Sequence, residues 1–155
     1  DAPGGAEGDA SPCSPTWTTP TFDGRRLFVA CNKGHEIVEV DLADWSVVRR
    51  IPAEGAPYNL ALTSDGTRLL ATLKGSAHLA VWDLATGEQV AKVPSLQTVT
   101  HGVVVTPDDR YALVTVEGVG GEPGIVEVVD LATYTRVASA EVGKQAGGIA
   151  LAPGG

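Results

Sequence analysis

The chain has 155 residues, of which 43% are hydrophobic, and this size and composition indicate a folded domain rather than a disordered chain. The formal net charge of −8 and the lack of any run of Lys and Arg argue against a nucleic-acid surface, which needs clustered basic residues. No apolar stretch approaches the roughly 20 residues of a membrane helix, so no membrane span is predicted.

Residues 1–14 are rich in Gly, Ala, Ser, Pro and acidic side chains, which predicts a flexible tail or linker without a core of its own. Cys13 lies in this tail and Cys31 lies further along the chain. Two interpretations stay open for them, namely two unpaired thiols or one disulfide that fixes the tail. The disulfide has a geometric basis, because a hairpin turn at Asp23-Gly24 places position 31 opposite about position 16.

From Pro15 onward the sequence repeats itself. The turn signals "FDG", "SDG" and "PDD" carry aspartates 42 and 43 residues apart, and the phrases "EVDLADW", "VWDLATG" and "VVDLATY" recur once per repeat. The third repeat is longer because of "EGVGGEPG" (Glu117–Gly124), which is predicted to be a loop insertion. A carboxylate copied into every repeat is seldom catalytic, so the recurring aspartates are interpreted as turn residues.

Each repeat contains four short strand-like runs and no helical apolar period. In the second repeat the runs are Tyr58–Thr63, Arg68–Leu73, His78–Asp83 and Gln89–Val93. Four antiparallel strands per roughly 40–45 residues are typical of a β-propeller blade. The strand content excludes helical repeats, and a β-sandwich would not explain near-identical phrases at a fixed period. We therefore predict an all-β chain with blades at about 15–56, 57–99 and 100–146, and with residues 147–155 as the first strand of a fourth.

The segment Pro57–Val93, with its "SDG" turn and its strand ending in Asp before "LATG", resembles the YVTN-type repeat of bacterial and archaeal β-propellers. The resemblance covers about Pro15 to Gly155. WD-type repeats fit less well, because only Trp82-Asp83 shows that dipeptide. Members of the family occur in surface-layer and secreted proteins, and related propellers occur in periplasmic oxidoreductases such as haem d1 nitrite reductases and quinone-dependent amine dehydrogenases. The resemblance therefore implies a periplasmic or extracellular location more than any reaction.

Closed propellers typically contain four to eight blades, whereas this sequence supplies three and the start of another. An open arc would leave apolar blade faces and strand edges uncovered. We therefore expect the ring to be completed either by further blades of a longer chain or by a second copy in a homodimer.

The candidate binding residues lie where the first strand of each blade begins and where the second strand turns into the third. In the family these loops share one face, around the central channel. The positions in question are Thr16, Trp17, Tyr58, Asn59, His101, Gly102, Gly147, Gly148, Lys33, Gly34, His35, Lys74, Glu117 and Glu122. His101 is the first to test, because an imidazole can act as a ligand or as a proton carrier, although it could equally hold a neighbouring blade.

The sequence supports two main functional hypotheses. The first is a non-catalytic exported scaffold that contacts a protein or ligand and holds no cofactor. The second is part of a periplasmic oxidoreductase whose channel face binds haem or a quinone cofactor. A metal-dependent hydrolase of the lactonase kind ranks last, because positions 16, 58, 101 and 147 do not supply the acids and amides that it needs. No catalytic triad, haem-attachment motif or metal-ligand spacing is present, so no catalytic or metal residue is predicted.

Overall fold

A computed structural model describes residues 13–152 of the chain. Within this range it contains twelve β-strands and no helix, arranged as three consecutive four-stranded antiparallel sheets. The strands are β1 (Pro15–Pro20), β2 (Arg26–Cys31), β3 (Glu36–Asp41), β4 (Val47–Pro52), β5 (Pro57–Leu62), β6 (Arg68–Leu73), β7 (His78–Asp83), β8 (Gln89–Pro94), β9 (Val99–Val105), β10 (Tyr111–Glu117), β11 (Ile125–Asp130) and β12 (Thr135–Glu141). We call β1–β4 blade 1, β5–β8 blade 2 and β9–β12 blade 3.

The all-β prediction is confirmed. Of the four strands predicted for the second repeat, two have the observed bounds and two differ from them by one residue at one or both ends. In the described range no helix is long and apolar enough to cross a membrane. The predicted insertion of the third repeat forms the loop between β10 and β11, except for Glu117, which is the last residue of β10.

The first hairpin of each blade is closed by an aspartate that binds its own turn. In blade 2, Thr63 Oγ1 donates a 2.6 Å hydrogen bond to Asp65 Oδ1, which also accepts the Thr67 backbone N–H at 2.9 Å. Asp23 and Asp108 repeat this arrangement. These hydrogen bonds favour the charged form, with the threonine hydroxyl contributing most, and they lower the pKa of each of the three carboxyls.

The turn between the third and fourth strands is also built around an aspartate. Asp83 Oδ1 accepts the backbone N–H groups of Ala85 and Thr86 at 2.9 and 3.0 Å, and Asp130 repeats the pattern. The interpretation of the recurring aspartates as turn residues is therefore confirmed for both hairpins.

The first strands lie side by side at the inner end of the blades, since β5 contacts both β1 and β9. Between the blades are two apolar cores. Interface I joins blades 1 and 2 and buries Phe28, Ala30, Ile37, Ile51, Ala53, Leu60, Leu62, Leu69, Ala71, Leu73, Ala80 and Trp82. Interface II joins blades 2 and 3 and buries Ala61, Leu70, Leu79, Val81, Val93, Val103, Ala112, Val114, Val116, Val129 and Leu131.

The three tryptophans differ in their surroundings. Trp82 is 1% exposed and lies in interface I, between blades 1 and 2. Trp17 and Trp45 are 47% and 71% exposed.

The two cysteines form a disulfide, so the interpretation as unpaired thiols is wrong. Cys31 pairs with Pro15 across the first hairpin, which brings Cys13 alongside it with a Cα–Cα distance of 4.3 Å. The equivalent positions of blade 2 are equally close. Gly55 and Leu73 correspond to Cys13 and Cys31, and a Cβ built on Gly55 would lie 3.3 Å from the Cβ of Leu73. The rest of the predicted tail, residues 1–12, lies outside the described residues.

The described part of the predicted fourth-blade segment, residues 147–152, is not formed as a strand. A strand requires a ladder partner, and none of the described strands pairs with it. The segment nevertheless starts where the next unit would start. Thr115 Oγ1 donates to the Gly147 carbonyl at 2.5 Å, just as Thr72 Oγ1 donates to the His101 carbonyl at 2.8 Å one blade earlier.

Candidate functional site

The beginnings of the first strands and the turns between the second and third strands lie at the same end of each sheet. The strand registers show this, because Pro57 pairs with Leu73 and Val99 pairs with Glu117. We call this end, formed by the residues proposed from the sequence, the candidate face. The predicted placement of the loops on one side of the molecule is therefore observed.

A pair of buried threonines holds the candidate face together. Thr72 is fully buried in β6, accepts the Asn59 N–H at 3.0 Å and donates to the His101 carbonyl of the next blade. Thr115 makes the same pair of bonds with Gly102 and Gly147. Each threonine thus links the first strand of its own blade to the start of the following unit. Sequence reasoning missed both residues, although their shared position in two repeats was a readable signal.

Blades 2 and 3 together contribute an aromatic and cationic cluster to the candidate face. The rings of Tyr58 and His101 lie 4.6 Å apart between centroids and are tilted by 60°. Lys74 follows β6, and its ammonium group lies 4.5 Å from the centroid of the Tyr58 ring. This is a cation–π distance, so the lysine is held over the ring rather than free in solvent.

The cluster lowers the pKa of His101 below its ordinary value. Burial of the imidazole is the main cause, and the nearby positive charge of Lys74 acts in the same direction. The negative charge of Glu117 and a hydrogen bond with the Gly147 backbone oppose this effect. His101 is therefore neutral at pH 7, when its ring can accept as well as donate a hydrogen bond.

The remaining candidate residues of the inner strands have structural partners. Thr16 Oγ1 donates to the Tyr58 carbonyl at 2.8 Å and so ties blade 1 to blade 2. Asn59 is 7% exposed, and its side-chain oxygen accepts the Val103 N–H at 3.4 Å, so it joins blades 2 and 3 rather than facing solvent. Trp17 is exposed on β1 beside a shallow depression lined by Pro15, Thr16, Trp17 and Thr18.

The loop candidates are more widely separated. Lys33 and His35 lie exposed on the β2–β3 turn of blade 1, where the His35 ring accepts the Ala56 N–H at 3.2 Å. Glu122 is exposed in the β10–β11 loop of blade 3. The structure thus brings together Tyr58, Lys74, His101 and Glu117 from the predicted set.

The cluster offers an ammonium group, a neutral imidazole and an aromatic face to an approaching molecule. Such a set can bind through hydrogen bonds, charge and stacking. Residues 13–152 contain no group of three or more His, Cys, Asp or Glu side chains placed to hold a metal ion.

Solved structures of other proteins share this arrangement of blades. Kuenenia stuttgartiensis hydrazine synthase matches with a TM-score of 0.81 and 22% sequence identity, over 92% of this chain and 40% of that chain. U3-55K and the WD40 repeats of RRP9 each match with a TM-score of 0.73 and 15% identity, over 85% of this chain and 40% of theirs. No family model and no curated protein sequence matches the chain.

This chain spans about 40% of the length of these matched structures. At such low identities the likeness concerns the fold and carries no activity with it. The predicted YVTN-type family is a finer assignment and stays a prediction. Together with the three four-stranded sheets, the comparisons show that residues 13–152 have a β-propeller fold and form three consecutive blades.

Proposed function

We propose that the chain is part of a non-catalytic, exported β-propeller scaffold that contacts a protein or ligand through the candidate face. The Tyr58–His101–Lys74 cluster carries this proposal. The polar groups beside it, on Thr72, Asn59 and Thr16, are used to join blades, whereas the cluster brings three candidate side chains from two blades together on the face.

In this proposal further blades complete the ring. A second copy of the chain would serve poorly, because it would bring its own β1 to the place beside Thr115 that Gly147 and the residues after it already occupy. Blades from the same longer polypeptide avoid that overlap and are the source that we favour.

Export to the periplasm or beyond is supported by the Cys13–Cys31 disulfide. Disulfides persist in oxidising compartments and are rare in a reducing cytosol. YVTN-type propellers of surface-layer and secreted proteins would share this setting.

The alternative is an oxidoreductase propeller that binds haem or a quinone cofactor at the same face. The observation that favours it is the lowered pKa of His101, since the neutral imidazole is the form that coordinates a metal. In that case His101 would be the ligand from this chain, and Tyr58 would orient its ring. The cofactor would supply electron transfer when bound.

One experiment separates these two functions. The full-length protein is purified from its native source, and its visible absorption spectrum is compared with that of a His101→Ala variant. A scaffold is expected to show no visible band and to keep its fold after the substitution. A visible band that disappears in the variant would contradict the scaffold and support the oxidoreductase.

A second measurement concerns the partner contact itself. Proteins cross-linked in the native compartment to the wild-type chain are compared with those cross-linked to a Lys74→Glu variant and to a Lys92→Glu control on the outer strand of blade 2. We expect the charge reversal at Lys74 alone to remove a partner. An identical set of partners for all three proteins would contradict the proposal.

A further inference from the structure

The repeat gives each blade one surface that faces the preceding blade. On blade 2 this surface includes Leu73, Trp82 and Leu84, which pack in or against interface I. On blade 3 the equivalent positions are Val116, Val129 and Leu131, which are buried in interface II. On blade 1 they are Cys31, Val40 and Leu42. We call the part of this surface formed by Leu27, Val29, Val40, Leu42 and Trp45 the leading surface, and we leave out Cys31, which is fully buried and bonded to Cys13.

The leading surface is apolar but is only partly covered. Leu27, Val29, Val40 and Leu42 are half-buried, whereas their blade 3 counterparts Ala112, Val114, Val129 and Leu131 are buried. The sequence character is the same in both blades. The difference in exposure arises because blade 2 packs on blade 3 and no described residue packs on blade 1 in the same way.

Trp45 occupies a position of the repeat that contacts the preceding blade in blades 2 and 3. It lies at the fourth position after Asp41, and Gly87 and Tyr134 occupy the same position after Asp83 and Asp130. All three residues have a positive φ, of 63°, 76° and 54°, so the turn presents them in the same way.

In both covered blades an arginine from the preceding blade reaches this position, from the second strand (β6) in one case and from the fourth strand (β4) in the other. Arg68 of blade 2 lies over the Tyr134 ring, 5.7 Å from its centroid, and its guanidinium also donates to the Tyr134 hydroxyl. Arg49 of blade 1 approaches Gly87, where a Cβ would lie 3.4 Å from its Nη1 atom. Trp45 is 71% exposed at the third copy of the position.

We infer that the leading surface docks another four-stranded blade of the same polypeptide, and that this blade places an arginine over the Trp45 indole. This inference rests on the proposed ring closure. Tryptophan is the strongest aromatic acceptor of a cation, so its choice here is consistent with the docking of a guanidinium group.

The first test measures the exposure of Trp45 in the full-length protein by hydroxyl-radical footprinting. Trp82 is the buried control and Phe22, which is 73% exposed on a turn that already has its neighbouring blade, is the exposed control. Trp45 is expected to oxidise nearly as slowly as Trp82. Oxidation of Trp45 as rapid as expected for a free indole, in step with Phe22, would overturn the inference.

The second test identifies the occupant. A photoreactive phenylalanine analogue replaces Trp45 in the full-length protein, and cross-linked peptides are identified by mass spectrometry. The expected partner is a peptide of the same polypeptide that contains an arginine, and the same probe at Val90 on the outer strand of blade 2 should not capture it. A cross-link to a different protein, to a second copy, or to a peptide without that arginine would overturn the inference.

The two tests fail separately from the scaffold role that is proposed for the candidate face. A visible cofactor band or an unchanged set of partners at Lys74 would contradict the scaffold role and leave protection of Trp45 intact. An exposed Trp45 would contradict blade docking and leave the candidate face unaffected.

Discussion

The two interfaces between blades have the same backbone plan and different side-chain chemistry. Interface I contains the large aromatic residues Phe28 and Trp82. The buried core of interface II contains only Val, Leu and Ala, with Tyr134 packed at its edge. Interface II instead carries more polar links. Asp109 binds the turn of blade 2, and Glu127, which is 2% exposed, binds the Leu96 N–H at 2.6 Å.

The repeat therefore specifies where neighbouring blades contact each other, but not which side-chain interactions stabilise the contact. A blade pair can be stabilised by aromatic volume, as in interface I, or by smaller side chains supplemented with hydrogen bonds, as in interface II. Both solutions satisfy the same packing requirement, because interior side chains must fill the available space and buried polar groups must be paired.

The largest expected effect is that of removing the aromatic volume of interface I. Trp82→Ala should lower the free energy of unfolding by about 3–5 kcal/mol, because it deletes a fully buried side chain and leaves a cavity. Urea denaturation followed by circular dichroism measures this. Trp17→Ala, at a half-exposed position, is the control. Equal losses in the two variants would contradict the central place of Trp82.

The next effect concerns the buried carboxylate of interface II. Glu127 also faces the Arg136 guanidinium, whose Nη1 atom lies 3.5 Å away. Glu127→Ala should cost about 1–3 kcal/mol, since it leaves the Leu96 N–H without its acceptor. Glu127→Gln should cost less because it keeps an acceptor oxygen. Denaturation of both variants beside the exposed control Glu141→Ala tests the order, and an effect of Glu127→Ala no larger than the control would contradict it.

A smaller effect is expected at the Asp109 clamp. Its carboxylate accepts the Ser64 N–H at 2.7 Å and the Ser64 hydroxyl at 2.6 Å, while its backbone has a φ of 55°. Asp109→Gly should lose about 1 kcal/mol net, because the lost hydrogen bonds exceed the relief of the positive φ. Thermal unfolding measures the change.

The hydrogen bonds between Asp109 and Ser64 can be introduced into interface I by substitution. In interface I the equivalent positions are Phe22 and Gly66, and Gly66 already has a positive φ of 67°. The free energy of unfolding of the double variant Phe22→Ser with Gly66→Asp should therefore be higher than the sum of the two single-variant effects predicts. Strict additivity would show that the clamp depends on more than these two positions.

The smallest effect is a pH dependence from His101 where blades 2 and 3 meet on the candidate face. Its pKa lies below the ordinary value of 6.5 in the folded protein, so the unfolded state binds more protons between the two values. The free energy of unfolding should therefore decrease as pH falls through about 6.5. Denaturation midpoints across this range should change less in His101→Gln, and an identical pH profile would contradict the assignment.

The sequence predicted the fold well because its signals are local and repeated. Asp23, Asp65 and Asp108 close hairpins through contacts within a few residues, so their pattern could be read directly. The candidate face was predicted as a set of positions for the same reason. The contacts between these residues could not be predicted, because the Tyr58–His101 ring contact joins residues 43 positions apart in different blades.

The number of strands and blades, the turns and the end of the molecule at which the candidate residues lie could be derived from the sequence. They follow from the alternation of apolar and polar residues, from turn chemistry and from repeat length. The assembled fold adds the contacts between residues that are distant in the sequence. It pairs Cys13 with Cys31 within blade 1, makes Thr72 and Thr115 links between units, and leaves Trp45 exposed where Tyr134 is half-buried. Such contacts exist only once the strands and sheets have come together.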